Sequence, residues 1–338
     1  MLTTSKNSNG MKKIRIGVLM GGTSNERAVS LLSGAQVLKN LSRDLYDVSK
    51  IEITKDGKWF LNNKTFLTIL PDRDLKKRFD VIFIALHGTF GEDGKVQSIL
   101  DTLQIPYTGS GALPSALGMN KAKTMELLAM HKIRMPQTIS LRKNDKTTPA
   151  ITFPSVVKPN AAGSSVGVSI VKDKKSLIPA LRKAFKEDKK ALVQEYVEGR
   201  ELTCAVIGNS ANSDLVALPP IEIVSPGTFF DYRAKYLSKK TQEICPAPID
   251  KKNSAELIRL SKKVHATLGC DGLTRSDFII TDQEEICFLE INTIPGMTRE
   301  SLCPKEARAA GISFSKFLDI QIKLALQKAG VIKYEVEI

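Results

Sequence analysis

The stretches TRSDFII (274–280) and CFLEINTIPGMT (287–298) each set polar groups two apart within an apolar run. Residues two apart in a β-strand share a face, so two adjacent strands let Arg275, Asp277, Glu290 and Asn292 converge. Their three oxygen donors suit magnesium bridging a protein to nucleotide phosphates, and the guanidinium can stabilise charge on a transferring phosphoryl group. Spacing alone is equally compatible with an ordinary charged strand pair, so other segments must decide.

The loop KPNAAGSSVGVSIV (158–171) places a strand-end lysine, Lys158, ahead of Gly163, Ser164, Ser165 and Gly167. Such a loop can lay backbone N–H groups and hydroxyls against phosphate oxygens, although it is not a Walker A sequence and a plain hairpin has the same composition. The stretch LVQEYVEGREL (192–202) runs through Gly199 into a second strand. Backbone groups of such a hinge can hold a base, and a carboxylate such as Glu201 can take two ribose hydroxyls; an edge hairpin with a charged rim reads the same way.

These groups need a scaffold. IRIGVLM (14–20) reads as a buried strand, and GGTS turns it into a helix from about Glu26 to Leu41. Strands near 48–54 and 81–86 complete an open parallel sheet, whose ligands gather at the strands' C-terminal ends. Short strands around one basic helix (174–186) predict a small central α+β domain. A C-terminal α+β unit follows, with a polar loop (225–248), a helix (253–268), two strands and two terminal helices. The expected division is a disordered leader (1–12), an N-terminal α/β domain (13–120), a central domain (121–213) and a C-terminal domain (214–338).

A chain of 338 residues supports two or three cores. Five scattered cysteines form no C-x-x-C pair, which fits a reducing cytoplasm rather than a disulfide framework or zinc site. No segment is long and apolar enough for a membrane span. The +14 formal charge is mostly lysine on helix faces with few interleaved aromatics, arguing against a nucleic-acid surface.

Taken in order, GGTSNERAVS (21–30), HGTFGEDG (87–94), GSSVG (163–167), AKYLS (234–238) and NTIPGMTRESL (292–302) make the chain resemble the ATP-grasp ligases, and within them the D-alanine–D-alanine ligases, from Ile14 to the terminal helices. The resemblance implies a three-domain ATP-grasp fold, with ATP as co-substrate, two Mg²⁺ (or Mn²⁺) and a homodimer. By the same resemblance Asp277, Glu290 and Asn292 hold the metal, Arg275 steadies the γ-phosphate, and Lys121, Lys158, Ser164 and Lys235 contact ATP phosphates. Glu195, Tyr196 and Val197 lie at adenine and Glu201 at ribose, while Gln194 stands where an acid is frequent. Glu26 takes the ammonium of the first D-alanine with His87 close by, and Gly296, Ser301 and Leu302 receive the second. Tyr236 joins Ser164 and Glu26 beside the first substrate, and its loop (229–240) corresponds to a lid.

The implied reaction turns one D-alanine into an acyl phosphate, which the amine of a second D-alanine then attacks, and Tyr236 favours an amine over a D-lactate hydroxyl. Departures from the family pattern include Ala28, Asn160 to Ala162, Thr274, Ser276 and Phe288. Other readings are a carboxylate–amine ligase using different amino acids or D-lactate, a silent nucleotide-binding regulator, and a basic RNA-binding protein.

Overall fold

The computed structural model describes residues 12–69, 74–145, 150–212, 214–225 and 241–336, and within them fifteen strands form three sheets of five, six and four. The first sheet has β1 (Ile14–Gly21) at its heart, parallel to β2 (Tyr46–Ile53) and β5 (Val81–Ile84). Beyond β2 it turns antiparallel through β3 (Trp59–Leu61) and β4 (Thr65–Phe66), so the sheet is mixed rather than wholly parallel. The cause is loop length: the chain returns through a tight Thr54–Lys58 turn, whereas a parallel crossover needs a dozen or more residues.

Both faces of this sheet are covered, as its near-continuous apolar strands require. On one side Leu19, Ile51, Ile82 and Ile84 meet Val96 and Leu100 of the helix Lys95–Thr102. On the other, Ile16, Val18, Met20 and Phe83 meet Val37 of the helix Arg27–Asn40, and also Phe317, Leu318 and Ile322 of the last helix, Phe314–Lys328. The chain's end therefore closes the core that its beginning opened.

In the central sheet β6 (Thr138–Arg142), β9 (Lys190–Glu195), β7 (Ser155–Pro159) and β8 (Ser169–Val171) lie side by side in that order, all antiparallel. The helix Lys174–Glu187, capped by Asp173, carries Leu177, Ala180, Leu181 and Ala184 at helical spacing. It packs them onto Val157, Val171, Ala191 and Val193. Alternation then commits Val156, Lys158 and Gln194 to the opposite face.

The third sheet runs β13 (Gln242–Ile244), β12 (Ile221–Val224), β10 (Arg200–Ile207), β14 (Leu273–Ile280) and β15 (Ile286–Asn292), with the short β11 (Val216–Ala217) beside β10. LVQEYVEGREL is thus not a hairpin: β9 stays in the central sheet and β10 joins this one, so sheet membership changes near Gly199, before the boundary expected at 213. Leu202, Cys204, Phe278 and Phe288 pack under Leu257, Leu260 and Val264 of the helix Lys251–Thr267. Three departures sit on this face. Phe288 meets Phe278 edge to face at 5.7 Å, and Thr274 Oγ1 lies 2.7 Å from Nδ1 of His265, whose burial lowers its pKa to about 4 and keeps it neutral; Ser276 is buried beside them.

Glu306, on the helix Leu302–Ala309, is completely buried, and its Oε1 accepts from the N–H of Ala205 at 3.0 Å. The carbonyl of Ala205 bonds Leu218 on the side where the chain passes from β11 to β12, and there the side chain supplies the acceptor that the strands omit. Burial pushes this carboxyl up to about 8. Because that exceeds the unfolded value of about 4.3, the folded chain binds the extra proton, and Glu306's contribution is full below about pH 4 and lost as pH rises through about 8. Glu306→Gln is expected to flatten the decline of Tm between about pH 5 and 8, measured by thermal melts across that range.

Candidate active site

Two adjoining cavities, of about 510 and 440 Å³, share Lys121, Ala162, Glu201, Ile223, Asp277 and Glu290 at their junction. The register of the third sheet explains why charge gathers there. Arg275 pairs with Asn292 and Asp277 with Glu290 across β14 and β15, and Thr203 lies opposite Asp277 on β10. Paired residues of antiparallel strands project to one side, so these groups share the face turned away from the helix Lys251–Thr267. A bulge after Asp277 leaves Leu289 without a partner and re-aims the strand at this point.

Arg275 grips Asp277 with two bonds, Nε to Oδ1 at 2.8 Å and Nη2 to Oδ2 at 2.9 Å, while Thr203 Oγ1 donates to the same Oδ1 at 2.7 Å. Burial opposes the guanidinium charge, but Asp277 outweighs it and, with Glu290, holds the Arg275 pKa above its ordinary value. Lys121, at the start of the helix Lys121–Met130, reaches 3.5 Å from Glu290 and donates to the Ala162 carbonyl at 2.8 Å. Asn160 accepts from the Ala122 N–H at 2.9 Å and so ties the glycine–serine loop to that helix, which gives one departure a purpose.

The larger cavity contains Glu26, His87, Ser164, Arg275, Asn292, Gly296, Ser301 and Leu302 beside the shared groups. Ser164 donates to Glu26 Oε1. Burial first, then Glu92, raises the Glu26 pKa, and Ser164, His87 and Lys121 pull against them. Two glycines make room for this carboxylate: a Cβ on Gly88, whose φ is +72°, or on Gly163 would lie 2.6 or 2.8 Å from Oε2. His87 is buried with both ring nitrogens engaged, Nε2 with Ser33 at 2.9 Å and Nδ1 with Glu92 at 3.3 Å. At the far wall Ser301 Oγ accepts from the Thr298 N–H at 3.1 Å, and Leu302 packs on Ile221 and Ile223.

The smaller cavity contains Lys158, Glu195, Tyr196 and Val197, with walls from Val156, Ile279 and Leu289. Ser164, expected among the phosphate contacts, lines only the larger cavity, whereas Ser165 lines the smaller. The Glu195 carboxylate turns to the Gln137 N–H, and the buried polar side chain that β9 presents to this cavity is that of Gln194. Lys235, Tyr236 and the loop 229–240 lie outside the described residues. Sequence reasoning passed over Ser33 and Thr203, which position other groups, and Glu92, although it lies inside HGTFGEDG. The apolar walls were missed because alternation reveals a face and not what the face meets.

Asp277 and Glu290 supply carboxylates and Asn292 an amide oxygen, a hard set fitting magnesium, which takes its other ligands from phosphate and water. Among the described residues no group of three or more His, Cys, Asp or Glu could hold a metal alone.

Residues 15–73 and 70–110 match the family model for the D-ala D-ala ligase N-terminus, and residues 113–323 the model for its C-terminus. The chain belongs to the D-alanine–D-alanine ligase family. It is 40% identical over 308 residues to the D-alanine–D-alanine ligase of Citrifermentans bemidjiense, covering 91% of this chain and 95% of that one. Among solved structures, the VanG D-Ala:D-Ser ligase from Enterococcus faecalis superposes with a TM-score of 0.83 at 32% identity, covering 93% of this chain and 100% of the other. The Bacillus anthracis D-alanine–D-alanine ligase complexed with ATP gives 0.79 at 33% identity over 94% and 99%.

For a member of this family the crowding around Glu26 yields a test. Gly163→Ala is expected to displace the Glu26 carboxylate and lower ATP- and D-alanine-dependent phosphate release at least ~10-fold, since displacements near 1 Å can cost ~100-fold. Thermal melts should show the variant folded; an undiminished rate would mean that Glu26 tolerates the displacement.

Proposed function

We propose that this chain joins two D-alanines into D-alanyl-D-alanine at the expense of ATP, through a D-alanyl phosphate, for peptidoglycan precursor synthesis. The observation that carries this reading is the junction: Lys121, Asp277 and Glu290 border both cavities, so a γ-phosphate arriving from one meets a carboxylate arriving from the other.

In the smaller cavity the base lies between Val156 and Ile279 with Leu289, near the Glu195 to Val197 segment, the ribose hydroxyls reach Glu201, and Lys158 and Lys121 meet the phosphates. Lys235 joins them by family resemblance. Asp277, Glu290 and Asn292 would hold two Mg²⁺ ions, which neutralise charge on the phosphates when bound. In the larger cavity Glu26 takes the ammonium of the first D-alanine, and that ammonium favours the ionised carboxylate that burial disfavours. His87 holds Glu92 and Ser33 in place beside it.

The first carboxylate attacks the γ-phosphorus, breaking its bond to the β–γ bridging oxygen and releasing ADP. Arg275, pinned by Asp277, meets the transferring group and then the oxyanion that forms at the acyl carbon. The second D-alanine, its carboxylate at Ser301 and Leu302 beside Gly296, gives up an ammonium proton and attacks that carbon; phosphate departs with its bonding electrons. Ser164, bonded to Glu26, and by family resemblance Tyr236 offer a route for the proton. No helix among the described residues is long and apolar enough to cross a membrane, and all five cysteines are free, which supports a cytoplasmic setting. The homodimer rests on family resemblance, and light scattering checks it.

Phosphate release with ATP and Mg²⁺ is expected with D-alanine and not with L-alanine; release confined to another amino acid would overturn the assignment. With D-alanine, D-serine and D-lactate offered together, mass spectrometry is expected to find D-alanyl-D-alanine as the main product. Glu290→Ala, which removes a half-exposed carboxylate at the cavity junction rather than a core group, is expected to abolish ADP formation while Tm shifts little.

A further inference from the structure

Gln194 is 3% exposed and lines the smaller cavity from the middle of the central sheet. Directly across the strand on one side is Val156, a cavity wall, and on the other Thr138. Lys158 lies two residues beyond Val156 on the same face, roughly 7 Å along the strand. A nucleotide with its phosphates at Lys158 therefore has its base against Val156 and Gln194. The chemistry of the base end is set by which amide atom Gln194 turns to the cavity.

Hydrogen-bond accounting fixes that atom. Gln194 Nε2 lies 2.8 Å from Thr138 Oγ1 and 3.2 Å from Met125 Sδ. The single hydroxyl proton of Thr138 has the Pro136 carbonyl at 2.8 Å as its nearer acceptor and Met125 Sδ at 3.5 Å as its farther one, and given to either it leaves the oxygen only lone pairs for Gln194. A thioether sulfur likewise only accepts. With the amide reversed, Oε1 would face the Met125 sulfur, an acceptor, and would find a donor in Thr138 only by taking the proton from the Pro136 carbonyl. Nε2 is thus held inward, and Oε1 is left for the cavity, with no donor to it among the described residues.

We infer that Thr138, with Met125, is a positioning residue that locks the Gln194 amide so that the nucleotide site presents a hydrogen-bond acceptor and selects 6-aminopurine over 6-oxopurine triphosphates. This rests on the reading that the smaller cavity holds ATP. A carboxylate at this position accepts in either orientation, whereas an amide can turn over and donate to an oxo group. The chain's glutamine therefore needs a lock that an acid does not, and Thr138 and Met125 provide it.

The test compares ATP with ITP, whose base carries an oxo group at the 6-position, by kcat/KM in D-alanine-dependent ADP or IDP formation and by calorimetric binding of ADP and IDP. The wild-type chain is expected to prefer the amino base at least ~100-fold in both, as polar sites reject mismatched analogues strongly. Thr138→Val should narrow that preference about 10-fold, chiefly by tightening IDP and lowering the KM for ITP, the size of one misplaced hydrogen bond. Thr138→Ser, which keeps the hydroxyl, should restore it. In a Gln194→Glu background the preference should persist, and adding Thr138→Val should leave it unchanged because both carboxylate oxygens accept. Equal use of the two bases by the wild-type chain overturns the inference, as does a Thr138→Val effect that is the same in both backgrounds, which marks a packing role. Binding preference without any D-alanine-dependent turnover would sink the proposed function and leave this inference standing.

Discussion

Arg275 carries a charge in a place where burial opposes it, and Asp277, two residues along the same strand, allows it to stay. A buried pair of this kind is retained only where both members find further partners. Thr203 completes Asp277 from the neighbouring strand, while Glu290 stands opposite it on the other side. The dependence runs outward from there. β14 must be central, with β10 and β15 on its flanks, because each supplies one of those groups. Its other face must then be apolar, which is why Phe278 and Phe288 lie beneath the helix Lys251–Thr267.

That arrangement also explains why the chain divides its sheets at Gly199. Had β9 and β10 formed a hairpin, Glu201 and Gln194 would share one sheet and no cleft would lie between them. Carrying β10 into the next sheet sets Val156, Lys158 and Gln194 opposite Glu201 and Ile279 across an open space. The turn is held by glycine because Gly199 has φ +158° with the Ile280 carbonyl 2.2 Å from where a Cβ would sit. A cavity of nucleotide size follows from a change of sheet, not from a special binding loop.

Much of this was legible in advance because it depends on period. Alternation in TRSDFII and CFLEIN sorts Arg275, Asp277, Glu290 and Asn292 onto one face before any coordinates exist, and the register then sets them side by side. Contacts between distant segments were not legible. Nothing in the sequence near Ser33 says that its hydroxyl meets both His87 and the Met297 N–H, 264 residues away. Glu306 reads as an ordinary helical glutamate until the missing acceptor beside Ala205 is seen. The antiparallel strands beside β2 were missed because the strand signal near Trp59 is weak and only the shortness of the turn before it reveals an antiparallel return.

The two ends of the site differ in how they obtain selectivity. At the end proposed to hold the base, an uncharged amide donates to Thr138 and Met125, so the orientation inferred for it costs no buried charge. At the end proposed to take the amino acid, burial and then the nearby Glu92 hold the Glu26 pKa above its ordinary value, with His87 bridging toward Glu92 and Ser164 donating to Glu26. In the proposed reaction the ammonium of an entering substrate meets the Glu26 carboxylate in this buried pocket, and opposite charges interact more strongly where water is excluded. Ser164, held at φ +51°, a conformation rare for a residue with a side chain, is kept in place by its bond to Glu26. Ser164 lines the larger cavity and Ser165 the smaller, so one short loop borders both sites of the proposed reaction.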